Sequence, residues 1–181
     1  MSRDLVESIA AEYRRYKQLG EGAFAQLTDD DELSRAAPDD NSVAMLVWHI
    51  SGNLKSRFVE FQTAEGEKPW RNRDEEFVER TVTRQQLLER WEDGWNALFT
   101  VLDALSDGSL NEIVTIRQQP LAIHQALHRS LAHTSYHVGQ IVYTAKAFRG
   151  QGWKSLSIPK GASAAFVVGT DPMQRSARPQ T

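Results

Sequence analysis

His133 and His137 are four residues apart in the stretch LAHTSYHVGQIVYTAKAF, Leu131 to Phe148. On a helix of 3.6 residues per turn, side chains at i and i+4 lie on one face, so both imidazoles can reach a single point in space. Two histidines at this spacing are a recurrent way to hold zinc or a similar transition metal, provided a third ligand arrives from elsewhere. The competing reading is that they merely flank a buried stripe. A second pair at the same spacing, His124 and His128, acts as an internal control. At about 100° per residue, His124 and His133 leave the helix on opposite sides, so the two pairs cannot share one metal. Leu127, Leu131, Thr134, Val138, Ile141 and Ala145 mark the core face between them. The small residues Ala126, Ser130 and Thr144 leave space on the flank of His133, whereas Ser135, Gly139 and Lys146 suggest a solvated edge on the other. We therefore expect His133 and His137 to be ligands and His124 and His128 to be surface residues.

The elements that must position them follow from hydrophobic periodicity. The first helix is expected from Ser2 to about Leu27, with Gly20 and Gly22 weakening its second half, and an acidic loop from Asp29 to Asp40 follows. Asn41 or Ser42 can cap a second helix whose stripe runs from Val43 to Phe61. His49 sits on the shoulder of that stripe, near Asn53 and Ser56. A lone histidine there is read first as hydrogen-bonded structure and becomes a ligand only with convergent partners. Thr63 to Val82 reads as a long charged loop in which Trp70, Arg71 and Arg73 could fold over a cavity. Thr83 and Gln86 form a capping box at the head of a third helix, whose Trp91, Trp95, Leu98 and Leu102 run towards Gly108. Leu110 to Gln119 reads as a short extended piece ending near Arg117. Pro120 suits the first turn of a fourth helix that stops at Gly150.

The composition narrows the function. The chain has 181 residues, 40% hydrophobic and 25% charged, which fits one globular domain over 1–170 with a disordered Pro-, Gln- and Arg-rich tail at 171–181. A net charge of -3 with no basic stripe argues against nucleic-acid binding. There is no apolar run of spanning length and no signal-peptide core at the N-terminus, so no membrane role and a cytoplasmic location are expected. Cysteine is absent, so any thiol chemistry must import its sulfur.

The stretches WHISGNLKSRF (Trp48 to Phe58), GEKPWRNRDEEF (Gly66 to Phe77), LAHTSYHVGQIV (Leu131 to Val142) and SLSIPKGAS (Ser155 to Ser163) carry a family resemblance. Together they resemble the DinB and YfiT superfamily of metalloenzymes, and more closely an uncharacterised bacterial branch of it. The resemblance implies an all-α fold, an up-down-down-up four-helix bundle with long loops and a short C-terminal extension. It implies that His49, His133 and His137 hold the metal, that zinc or nickel fills the site, and that a homodimer is common. Characterised relatives include S-transferases and isomerases that use bacillithiol or mycothiol.

Three imidazoles with an open position are the ligand set of a catalytic metal site rather than a structural one. The leading expectation is a metal-dependent enzyme that activates a low-molecular-weight thiol for transfer to a small electrophile. Hydrolysis is the alternative, but helical spacing places no carboxylate beside His133 or His137. A stress-related metal-binding interaction module without turnover is the reading from a different class. A thiol bearing carboxylates would need cationic donors, for which Arg71, Arg73, Arg117 and Lys160 are the candidates, with at least one at the pocket mouth. Trp91 and Trp95 beside Leu98 and Phe99 exceed the apolar width one bundle face needs, which points to a symmetric dimer.

Overall fold

The computed structural model describes residues 2–27, 33 and 40–165. Four long helices carry these residues: α1 (Asp4–Phe24), α2 (Val43–Phe58), α3 (Arg84–Ala104) and α4 (Ile123–Arg149). Two short antiparallel strands, β1 (Ile113–Ile116) and β2 (Gln119–Ala122), lie just before α4. The fold is thus mainly α with one small hairpin. The disordered tail expected at 171–181 lies outside the described residues, as does nearly all of the acidic loop expected between Asp29 and Asp40.

The helix starts follow their capping chemistry. Ser42 accepts the Met45 N–H at the head of α2, and Thr83 with Gln86 closes the reciprocal box at the head of α3. Gly150 ends α4 at φ +52°, in the left-handed region that glycine occupies at little cost. The first three helices stop a few residues before their apolar stripes do, at Phe24, Phe58 and Ala104. Leu27, Phe61 and Leu105 are nevertheless buried from the turns that follow. Periodicity reports burial, and a turn can continue a buried stripe without continuing the helix.

Pro120 departs from expectation: it lies in β2 opposite Thr115, and α4 begins at Ile123. The hairpin loop is only Arg117 and Gln118, so Ile116 and Gln119 form the closing hydrogen-bonded pair. The next pair is not hydrogen-bonded, and there a proline sacrifices no ladder bond.

α1 packs chiefly on α4 and α2 on α3, while α2 also lies along α4. Trp91 and Trp95 are fully buried between the layers. Trp91 meets Phe24 edge-on at 5.1 Å, and Trp95 meets Tyr13 edge-on at 6.3 Å. Gly20 makes room for the first of these, since a Cβ there would lie 2.6 Å from the Trp91 ring. Gly94 similarly lets α3 approach α2, where a Cβ would meet the Ser51 Cα at 2.6 Å. The tryptophan stripe is therefore core, which removes the apolar surplus from which a homodimer was argued.

Candidate metal centre

His49 from α2 and His133 and His137 from α4 converge, with one potential ligand atom of each within 4.8 Å of the others. The Nε2 atoms of His49 and His133 are 3.1 Å apart. The three ring centroids lie 4.6 to 5.1 Å from one another, at steep mutual angles. His49 is buried and the other two are half-buried, so the cluster sits at the edge of the core. The i, i+4 spacing brings the α4 pair together, and the packing of α2 along α4 brings the third. His128 is exposed, and His124 is half-buried with its ring nitrogen 3.0 Å from the Leu110 carbonyl. Neither joins the cluster.

Two of the three rings have a partner on the far side that fixes the tautomer. The His49 Nδ1 lies 2.8 Å from Glu76 Oε2. An ionised carboxylate only accepts, so Nδ1 carries the proton and the Nε2 lone pair faces the cluster. The His137 Nδ1 lies 2.8 Å from the Gln140 amide oxygen, which assigns that ring in the same sense. His133 differs: its Nδ1 is buried without a hydrogen bond. Burial, reinforced by the neighbouring His137 and His49, pushes its pKa down to about 3, so the ring is neutral near pH 7. Burial also lowers His137, against the opposing pull of Gln140. Imidazole nitrogens gathered at one point, two of them with the lone pair turned inward by a partner on Nδ1, are a donor set that a divalent transition metal accepts, so the residues fit such an ion.

Glu76 is the functional residue that sequence reasoning missed. It lies in a 3-10 turn, Asp74–Phe77, within the long loop after α2. Arg71 grips it with a two-pronged fork, Nε to Oε1 and Nη2 to Oε2, both 2.8 Å. Burial alone would raise the Glu76 carboxyl, but the Arg71 fork and His49 outweigh it and hold the pKa below the ordinary value. Glu76 is 27 residues from His49, so no helical spacing could connect them. The one trace in the sequence is Gly52, a mid-helix glycine three residues after His49, which marks a close approach without naming the residue that makes it. A Cβ there would lie 2.0 Å from Glu76 Oε1, so the bare backbone admits the carboxylate to the helix surface.

A cavity of about 430 Å³ opens beside the cluster, with His49 and His133 on its wall. Arg71, Arg73 and Arg117 are among its lining residues, together with Arg57 and Arg129. Ala126 and Ser130, the small residues beside His133, provide part of its floor. Lys160 is not on the lining: its segment turns to α1, where Leu156 packs against Gly22 and Lys154 exchanges bonds with Gln26. That loop therefore walls a different part of the bundle.

A mainly helical fold with a partly buried three-histidine cluster beside a basic cavity defines the class. Within that class, the chain belongs to the family described as a protein of unknown function, DUF1572, which it matches over residues 1–162. No curated protein and no solved structure matches it. Among the described residues, no helix is long and apolar enough to cross a membrane.

Proposed function

We propose that the protein is a metal-dependent enzyme of DinB-like type, with its helices in up-down-down-up order and a divalent transition metal, zinc or nickel, held by His49, His133 and His137. The observation that carries this reading is the convergence of three imidazoles, one of them oriented by the buried Glu76–Arg71 pair. Carboxylate support behind a ligating histidine is a feature of tuned metal sites, where it fixes the ring and raises its basicity. The protein supplies three ligands, and a bound metal would use its remaining position to acidify and present an incoming thiol.

Transfer is favoured over hydrolysis by the state of Glu76. Both its oxygens are occupied, by Arg71 and by His49, so it orients a ligand and is not free to act as a base on water. The adjoining cavity favours an enzyme over a non-catalytic interaction module, because it gives a small molecule access to the ligand set. The test is a panel of low-molecular-weight thiols with a generic aromatic electrophile, assayed with and without added zinc or nickel. The expected result is thiol consumption that requires both protein and metal. A rate equal to the uncatalysed background across the panel would reject the transferase reading.

A further inference from the structure

Among the described residues, the cavity wall carries five arginines, Arg57, Arg71, Arg73, Arg117 and Arg129, and no carboxylate. Among the described residues, their ion pairs are with Glu67 and Glu76. Glu67 accepts from Arg117 at 2.7 Å and Arg57 at 3.1 Å and lies 3.7 Å from Arg71, while Glu76 takes the Arg71 fork. Among the described residues, the Arg129 guanidinium makes no hydrogen bond or ion pair. The Arg73 guanidinium makes none either, lying over the Phe77 ring at 5.5 Å.

Two further observations bear on this charge. The Arg71 side chain is only 2% exposed, yet its Nη1 has no hydrogen-bond partner. A buried guanidinium N–H left unmade is costly, and a ligand oxygen in the cavity would satisfy it. The second is the hairpin loop. Arg117 and Gln118 both adopt left-handed backbone, at φ 53° and 60°, without being glycine. Glu65 stabilises that turn by accepting both backbone N–H groups, at 2.7 and 3.0 Å. Positive φ at both loop residues is the usual geometry of a two-residue hairpin, and here the turn carries Arg117 to the cavity.

We propose that the cavity takes a small molecule with at least two negative charges, a dicarboxylate or a phosphate ester, held by Arg73 and Arg129 with its reactive end at the three-histidine cluster. Like-charged groups gathered on one wall raise each other's energy, and an anion relieves that repulsion, while the exposure of Arg73 and Arg129 leaves their guanidinium groups open to a ligand arriving from solvent. The planar forks of arginine suit carboxylate and phosphate equally. Phe58, Phe61, Ile116 and Ala126 give the rest of the lining an apolar character suited to a carbon skeleton. The proposal deepens the metal-enzyme reading and rests on it for the reactive end, whereas the anion subsite stands on the arginines alone.

The experiment is calorimetric titration of succinate and of inorganic phosphate, at fixed ionic strength, into zinc-treated and metal-free protein. Succinamide serves as the uncharged control. The variants are Arg73→Gln with Arg129→Gln in one chain, and Arg14→Gln on α1, away from the cavity. Wild type should bind at least one dianion and not succinamide, and which one binds identifies the acid group. The double variant should bind about 100-fold more weakly, on the order of tenfold per guanidinium, with unchanged melting and zinc content. Arg14→Gln should bind as wild type does. No dianion binding by wild type, or equal binding by the double variant, would overturn the proposal. Failure of the metal reading is read separately, as absence of zinc from the treated protein while arginine-dependent anion binding persists.

Discussion

Glu76 stands between Arg71 and His49, so its replacement disturbs a charge pair and a ligand tautomer together. In Glu76→Gln the amide can still reach the His49 Nδ1, but the Arg71 guanidinium loses its hydrogen-bonded counter-charge and keeps only the looser Glu67 pair at 3.7 Å. Removing such support typically weakens metal affinity about 10- to 100-fold, and breaking a buried ion pair costs about 3–5 kcal/mol. Metal affinity by competition with a chromogenic chelator and stability by urea unfolding should both fall. Loss of stability with unchanged affinity would make Glu76 a purely structural residue. His133 makes a pH prediction of its own. Its folded pKa of about 3 lies below the ordinary value of 6.5, so between those limits the unfolded chain binds more protons than the folded one. The stability of metal-free protein therefore falls as pH drops from about 6.5 towards 3. The lowered Glu76 carboxyl adds to the loss below its ordinary value of 4.5. Melting temperatures across this range should show the decline, and His133→Gln should flatten it between pH 6.5 and 4.5. An unaltered slope in that variant would place the titration elsewhere.

Among the elements, α2 carries the closest contacts. Gly52 admits Glu76, and Gly94 on α3 meets the α2 backbone at Ser51. Alanine is a better helix former than glycine by about 1 kcal/mol, so Gly52→Ala would stabilise an isolated helix. In the protein it should displace Glu76 and weaken metal binding, a loss detectable in the same chelator competition. Affinity equal to wild type would show that the carboxylate has room to move aside. Gly94→Ala meets backbone rather than a movable tip, so it should cost about 1–3 kcal/mol in urea unfolding without a specific effect on metal. These contacts also mark how far the sequence could be read. The helices and two of their N-caps were legible because periodicity and capping are local. The α4 histidine pair was legible for the same reason, whereas His49 required the resemblance to select it. Glu76 was not legible, because a 3-10 turn in an irregular loop leaves no periodic trace. Pro120 misled because the same residue suits a helix start and an unbonded hairpin position.

For the molecule as a whole, the loop after α2 and the hairpin before α4 meet over one side of the bundle and form much of the basic cavity. Gly66 donates to the Thr115 carbonyl at 2.9 Å, joining the two segments directly. Arg57 of α2 donates to the Gly66 carbonyl and ties both to the helix that carries His49. Metal ligands and cavity wall thus belong to one connected assembly. Light scattering remains the test of self-association, now without the buried tryptophans as its motive. The central claim is that His49, His133 and His137 form one transition-metal site. Its most direct test is elemental analysis of native protein beside the His133→Ala, His137→Ala double variant, after identical purification and dialysis against zinc or nickel. The expected result is one metal ion per wild-type chain and essentially none in the variant, with both proteins folded by circular dichroism. Equal metal content in the two would contradict it.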